Sequence, residues 1–219
     1  MEEREDGRLK IYHEPKDGLY SIGADVAEGL EGGDYSTAFV LDKDLRQCAQ
    51  WKGRIDPDEF GNLLCRLGEY YNNALLAVEK NNHGHATMAA IKNKNYTNVY
   101  SETIKEQHSE GYTKKIGWHT NAKTKMLMLD EFVGAVRDDS IELNDLELIK
   151  EMGRLNVEPN GDVVLNSMDL VVSACIALQA IKQVHGDNYS ASRPKDIIKK
   201  LPFKERLKRL SKTKEFELE

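Results

Sequence analysis

Leu19-Tyr20-Ser21-Ile22-Gly23-Ala24-Asp25-Val26-Ala27-Glu28-Gly29, with Gly32-Gly33-Asp34-Tyr35-Ser36 just behind it, is the stretch from which the fold is read. An apolar run of strand character ends in a carboxylate, and glycines follow. A charge in that setting is desolvated and persists only when paired, hydrogen-bonded or bound to a cation. The glycines leave the strand end uncrowded, so a ligand or metal has room to approach. The plainer alternative is a polar strand end that caps a tight turn.

Working outward, Leu19 to Ala27, Ser36 to Leu41 and Cys48 to Ile55 read as three strands joined by the Gly-rich turn and by Asp42-Lys43-Asp44, an antiparallel meander. Before them, residues 1–18 form a polar lead-in with a short extended piece, Leu9 to Tyr12, of edge-strand character. After them, Asp56-Pro57-Asp58-Glu59 supplies an N-cap, a proline at the first helical position and first-turn acids. Phe60, Leu63, Leu64, Leu67 and Tyr71 then recur at helical spacing. Ala74 to Val78 is a short unbroken apolar run, as expected of a central strand covered on both faces, and it ends in Glu79.

A second helix is expected near residues 85–93, a strand near 98–101, and a hairpin or ordered loop over 102–117. Helices follow at 123–136, 145–154 and 168–184. The order predicts an α/β fold, a mixed sheet layered by helices. The core domain is placed at 19–185, with a basic tail over 186–219.

Composition narrows the classes. The chain has 219 residues, 31% charged and 40% apolar, enough for one main core and without a run long enough to span a membrane. The opening Met1-Glu2-Glu3-Arg4-Glu5-Asp6 lacks the order of a signal peptide, so the cytoplasm is the expected location. Cys48, Cys65 and Cys175 are far apart and form no C-x-x-C pair, which leaves core filling. The net charge of −6 is uneven, because residues 193–214 hold ten Lys/Arg against Asp196 and Glu205. That tail either contacts DNA phosphates or docks on a protein partner through Leu201, Phe203, Leu207 and Leu210.

Three acids each interrupt or abut an apolar element: Asp25, Glu79 and Asp169, which opens the last apolar helix. If the first strand lies beside the 74–78 strand, Asp25 and Glu79 project from one sheet edge, and nothing basic in the immediate sequence balances them, since Lys80 reads as a solvated side chain. Carboxylates held so repel and raise each other's pKa, whereas two divalent cations turn the repulsion into ligation. Oxygen-only ligands select Mg²⁺ or Mn²⁺, and two such ions about 3.5–4 Å apart suit phosphodiester cleavage.

The words of the pattern are more specific than its spacing. Ile22-Gly23-Ala24-Asp25-Val26-Ala27-Glu28-Gly29 with Gly33-Asp34-Tyr35-Ser36, then Val78-Glu79-Lys80-Asn81-Asn82-His83-Gly84, then Gly117-Trp118-His119-Thr120 with Thr124-Lys125, and finally Asp169-Leu170-Val171-Val172-Ser173-Ala174 stand in this order. Together they resemble the nuclease domain of the large terminase subunit of tailed bacteriophages, over most of residues 19–182. The resemblance implies a ribonuclease H-like fold, with the first and fourth strands as neighbours. It also implies a metal-binding triad of Asp25, Glu79 and Asp169, and cutting of concatemeric viral DNA during head packaging in the host cytoplasm.

Implied partners are double-stranded DNA, an ATPase domain, the portal and the small terminase subunit. No phosphate-binding G-x-x-x-x-G-K-[ST] loop occurs, so the ATPase part is expected to lie before residue 1. Many family members carry a second acid directly before the position of Asp169, where this chain has Met168. Either the site works with three acids, or metal is held less strongly there.

Around the triad, Asp34 reads as a secondary ligand or as a cap of the Gly-rich turn. His83 reads as a positioning or capping residue near the DNA backbone, and Trp118 and Lys125 as phosphate contacts, with packing the alternative for Trp118. Two other functions compete: a Holliday-junction resolvase-like nuclease of the same fold, and a catalytically weak DNA-binding or docking module.

Overall fold

The structure, a computed structural model, describes residues 1–105, 112–157, 163–165 and 167–185. Its elements run β1 (Glu2–Arg4), β2 (Leu9–Ile11), β3 (Tyr20–Asp25), β4 (Ser36–Asp42), β5 (Gln47–Gly53), α1 (Pro57–Tyr70), β6 (Leu75–Val78) and α2 (Gly84–Asn93). They continue with β7 (Ser101–Lys105), β8 (Tyr112–Ile116), α3 (Ala122–Arg137), α4 (Leu146–Gly153), β9 (Asn156–Val157), β10 (Val163–Val164) and α5 (Asp169–His185). A six-stranded sheet in the order β1-β2-β5-β4-β3-β6 forms the centre. Its pairs are antiparallel except β3 with β6, which is parallel. The fold is the mixed, helix-flanked α/β sheet that the element order predicts, and β3 and β6 are the neighbours that the resemblance to a ribonuclease H-like fold implies.

Three differences from the sequence reading stand out. The 74–78 strand, β6, ends the order of the six-stranded sheet instead of lying at its centre, with only an isolated bridge from Leu76 to Val99 on its outer side, because its apolar residues are covered by the two helical layers and not by further strands. Leu9–Ile11 is not the edge, because β1 pairs outside it. β9 and β10 make a small separate ladder in a region where no strand is expected. The basic tail lies outside the described residues.

Alternation along the strands sorts side chains to the two faces of the sheet. Ile22, Ala24, Val40, Leu76 and Val78 join a core beneath α1 and α2 that also holds Trp51, Phe60 and Tyr71. Phe39, Leu41, Leu75 and Ala77 join the opposite core beneath α3, α4 and α5. All three cysteines are buried and free. Pro57 opens α1, and Asp56 holds the N-cap position without making a side-chain capping bond.

The α5 face of β3 carries Ser21, Gly23 and Asp25 rather than large apolar groups. Ser21 donates its hydroxyl to the Ala177 carbonyl at 2.9 Å. At Gly23 the helix approaches so closely that a β-carbon would meet the Ser173 carbonyl oxygen at 2.1 Å and the Ala177 nitrogen at 2.3 Å. The strand that ends in Asp25 is thus the strand on which α5 lies. No helix among the described residues is long and apolar enough to cross a membrane.

Candidate metal centre

Parallel pairing of β3 with β6 puts Ala24 opposite Val78, and the Glu79 amide donates to the Ala24 carbonyl at 2.9 Å. Asp25 and Glu79 are therefore the next residues of two adjacent strands, leaving the sheet at the same end. Each continues the alternation of the α5 face, Asp25 after Gly23 and Glu79 after Ala77. They are close enough for a side-chain hydrogen bond.

Asp169 reaches the same end from the helix above. Its carbonyl accepts from Thr37 Oγ1 at 2.8 Å, and Thr37 is the register partner of Asp25 on β4. Its carboxylate Oδ2 lies 3.4 Å from the Tyr35 amide.

The electrostatics follow from this crowding. Burial, then the Glu79 charge and the hydrogen bond to Glu79, then the Asp169 charge, hold the Asp25 carboxyl well above the usual carboxylate range. Burial also raises Asp169; the Tyr35 amide and Lys52 pull it back, while Asp34 and Glu147 push with burial. Crowded against Glu79, the Asp25 carboxyl favours a proton or a neighbouring cation over a bare charge. Among the described residues, no three His, Cys, Asp or Glu side chains already stand in coordinating geometry. Asp25 and Glu79 touch, and Asp169 acts on Asp25 through its charge alone.

Two groups to which sequence reading gives no role of their own hold the acids in place. Asn81 donates to Glu79 Oε2 at 3.2 Å and to the Val26 carbonyl at 2.8 Å, while its Oδ1 accepts the His83 and Gly84 amides at 3.1 and 2.9 Å. One side chain thereby ties the Glu79 carboxylate, the end of β3 and the start of α2. Glu151 of α4, 1% exposed, accepts the Leu170 amide at 3.1 Å and the Val171 amide at 3.2 Å, and so serves the N-terminus of α5 from outside the helix. Lys52 of β5 pairs with Glu151 at 3.0 Å and Glu147 at 2.8 Å. It is the cation near Asp169 that the local sequence lacks, and it arrives through strand pairing.

The remaining candidates fall in different places. Asp34 is exposed and near enough for its charge to act on Asp169. Its carboxylate makes no hydrogen bond to any described residue, so no capping bond stands behind the turn-cap reading. His83 Nε2 lies 3.3 Å from Glu28 Oε1, joining the two loops that flank the acids. Trp118 is 4% exposed, tilted against Tyr100 at 5.8 Å, with its backbone bridged beside Glu79; it is a core side chain whose indole N–H finds no partner among the described residues. Lys125 is half-buried in the first turn of α3, a helix opened by an Asn121–Thr124 capping box. Met168, in the place of a fourth acid, is packed into the core beneath α5.

No protein-family model matches the chain, and no curated protein matches it in sequence. Solved structures do match in three dimensions. The large terminase nuclease of thermophilic phage G20c with bound magnesium is 18% identical, with a TM-score of 0.62, over 81% of this chain and 89% of that one. The same nuclease with bound cobalt is 16% identical, at 0.60 over 81% and 89%. The large terminase nuclease domain of Thermus phage P74-26 is 16% identical, at 0.56 over 81% and 87%. This chain has the fold of these large terminase nucleases.

Proposed function

We propose that this chain is a metal-dependent DNA endonuclease of the phage terminase kind, hydrolysing phosphodiester bonds of concatemeric viral DNA. One observation carries the reading: Asp25 and Glu79 leave adjacent parallel strands on the face that α5 covers, and Asp169 begins that helix at the same end. The likeness to terminase nucleases, one of them solved both with bound magnesium and with bound cobalt, supports it.

The donor set is all oxygen, which fits Mg²⁺ or Mn²⁺, and Asp25, Glu79 and Asp169 would hold the two ions. Bound there, they supply an activated water and stabilisation of the leaving oxygen. The protein's own part is positional. Asp25, whose carboxyl is held above the usual range, would have to be ionised to ligate, so metal uptake is expected to release a proton and to weaken as pH falls. Thr37 and Glu151 keep Asp169 over them, and Asn81 orients Glu79. Double-stranded DNA is the substrate; the ATPase domain, portal and small terminase subunit are the partners, in the host cytoplasm.

Plasmid nicking with Mn²⁺ by the wild type and Asp25→Ala tests this. The expected result is metal-dependent nicking that the variant loses by at least a hundredfold, the lower end of what positioned charge contributes to such a step. Equal, metal-independent activity in both refutes it. Preference for a four-way junction over linear duplex would instead favour a resolvase.

A further inference from the structure

We propose that Arg54, stacked on Tyr35, is an anchor for a DNA backbone phosphate beside the acidic centre; this rests on the nuclease reading above. Arg54 follows the last residue of β5 and is exposed. Its Nε donates to the Gly33 carbonyl at 3.0 Å, and its guanidinium carbon lies 4.1 Å from the centroid of the Tyr35 ring. Both contacts fix the plane of the fork. With Nε and one face engaged, the Nη1 and Nη2 edge remains, which is the edge that grips a phosphate with two parallel hydrogen bonds.

Arg54 makes no ion pair with any described carboxylate, whereas Lys52, whose Nζ lies 5.1 Å from the same ring, is committed to Glu147 and Glu151. The placement is as telling as the geometry. Tyr35 is 36% exposed, and its own amide lies 3.4 Å from Asp169 Oδ2, so the guanidinium sits one residue removed from the acidic centre. A polyanion approaching Asp25, Glu79, Asp169 and Asp34 meets repulsion from them. A fixed cation at their border offsets that repulsion and sets the register of the strand. Holding a side chain as long as arginine in one orientation opposes its rotamer entropy, which a purely solvated charge does not require.

The test uses the full chain, a fluorescein-labelled duplex and anisotropy titrations with Ca²⁺ across a salt series. Arg54→Gln is expected to weaken binding about tenfold and to lower the slope of log K against log salt by about 0.9, the value of one phosphate contact. Arg54→Lys is expected to keep the slope and recover only part of the affinity, because the fork and the stacking are lost. Arg66→Gln, the same charge change on the exposed side of α1, is expected to alter neither.

An unchanged slope in Arg54→Gln, an equal effect from Arg66→Gln, or no duplex binding by the wild type overturns the anchor. The outcomes separate from those of the nuclease reading. A wild type that binds duplex but never nicks with Mn²⁺ defeats the nuclease, and one that nicks while Arg54→Gln binds with unchanged slope defeats only the anchor.

Discussion

Gly23 and Ser173 stand so close that a β-carbon on Gly23 would lie 2.1 Å from the Ser173 carbonyl oxygen, a backbone atom of α5 that cannot turn aside. Adding that carbon forces the helix off β3. Gly23→Ala is expected to destabilise the fold by about 1–3 kcal/mol, the usual range for overpacking, or roughly 2–4 °C in Tm per kcal/mol for a chain of this size. Because α5 begins with Asp169, Mn²⁺-dependent nicking at a temperature where the variant is still folded should fall too. Thermal melts and nicking assays on the same preparation check both. An unchanged melt would mean that the helix has slack the geometry denies.

How much of this was legible in the sequence depends on how local each signal is. The meander and α1 were, because runs of strand character bounded by turn residues, Pro57 and the 60–71 spacing act over neighbouring residues. The meeting of Asp25 with Glu79 was legible through the resemblance, which makes the first and fourth strands neighbours; the apolar run alone gave a strand but the wrong place for it, since β6 ends the order of the six-stranded sheet. β1 was not: Glu2-Glu3-Arg4 has neither alternation nor apolar residues and pairs only because β2 offers an edge. Lys52 and Glu151 were not, since each looks like an ordinary surface charge until β5 and α4 are brought over α5. The closeness of Gly23 to α5 was not, because it is a tertiary fact.

The crowding of Asp25 makes a prediction about pH. Its folded pKa is raised, so between the ordinary value of 3.8 and the raised one the folded state holds a proton that the unfolded state has lost. Stability of the metal-free protein therefore falls as pH rises through that window. Asp25→Asn removes the charge and should melt higher than wild type at pH 7 in EDTA, with the gap closing near pH 4. Mn²⁺ should raise the wild-type Tm and leave the variant nearly unmoved. A variant that melts lower in EDTA at pH 7 would contradict the direction of the shift.

Asp145 carries the opposite sign. Burial alone would raise it, but Lys10 at 2.9 Å, the Leu148 amide at 2.8 Å and the Tyr12 hydroxyl at 2.8 Å together hold it below the usual value. Its contribution is present above about pH 4 and is lost as pH falls through the lowered folded pKa. Asp145→Asn keeps a side chain that caps α4 but loses the charge, so it should destabilise by about 1–3 kcal/mol at pH 7 and converge on wild type in acid. Urea titrations at pH 7 and pH 3 measure this.

Glu151 and Lys52 make the final case, because they reach the site only through the start of α5. Glu151→Ala leaves the Leu170 and Val171 amides without an acceptor and Lys52 with only Glu147 as a carboxylate partner. About 2–4 kcal/mol should be lost. Lys52→Met alone leaves the Glu151 carboxylate buried without its cation and should also destabilise. In the Glu151→Ala background the same change should harm much less, giving a coupling energy of about 1–2 kcal/mol in a double-mutant cycle. The Mn²⁺ concentration for half-maximal nicking should rise in Glu151→Ala by more than the fraction unfolded explains, because Asp169 follows the first turn of α5. Additive losses in the cycle would show that Lys52 and Glu151 act separately, and an unchanged Mn²⁺ requirement would show that the first turn holds its place without them.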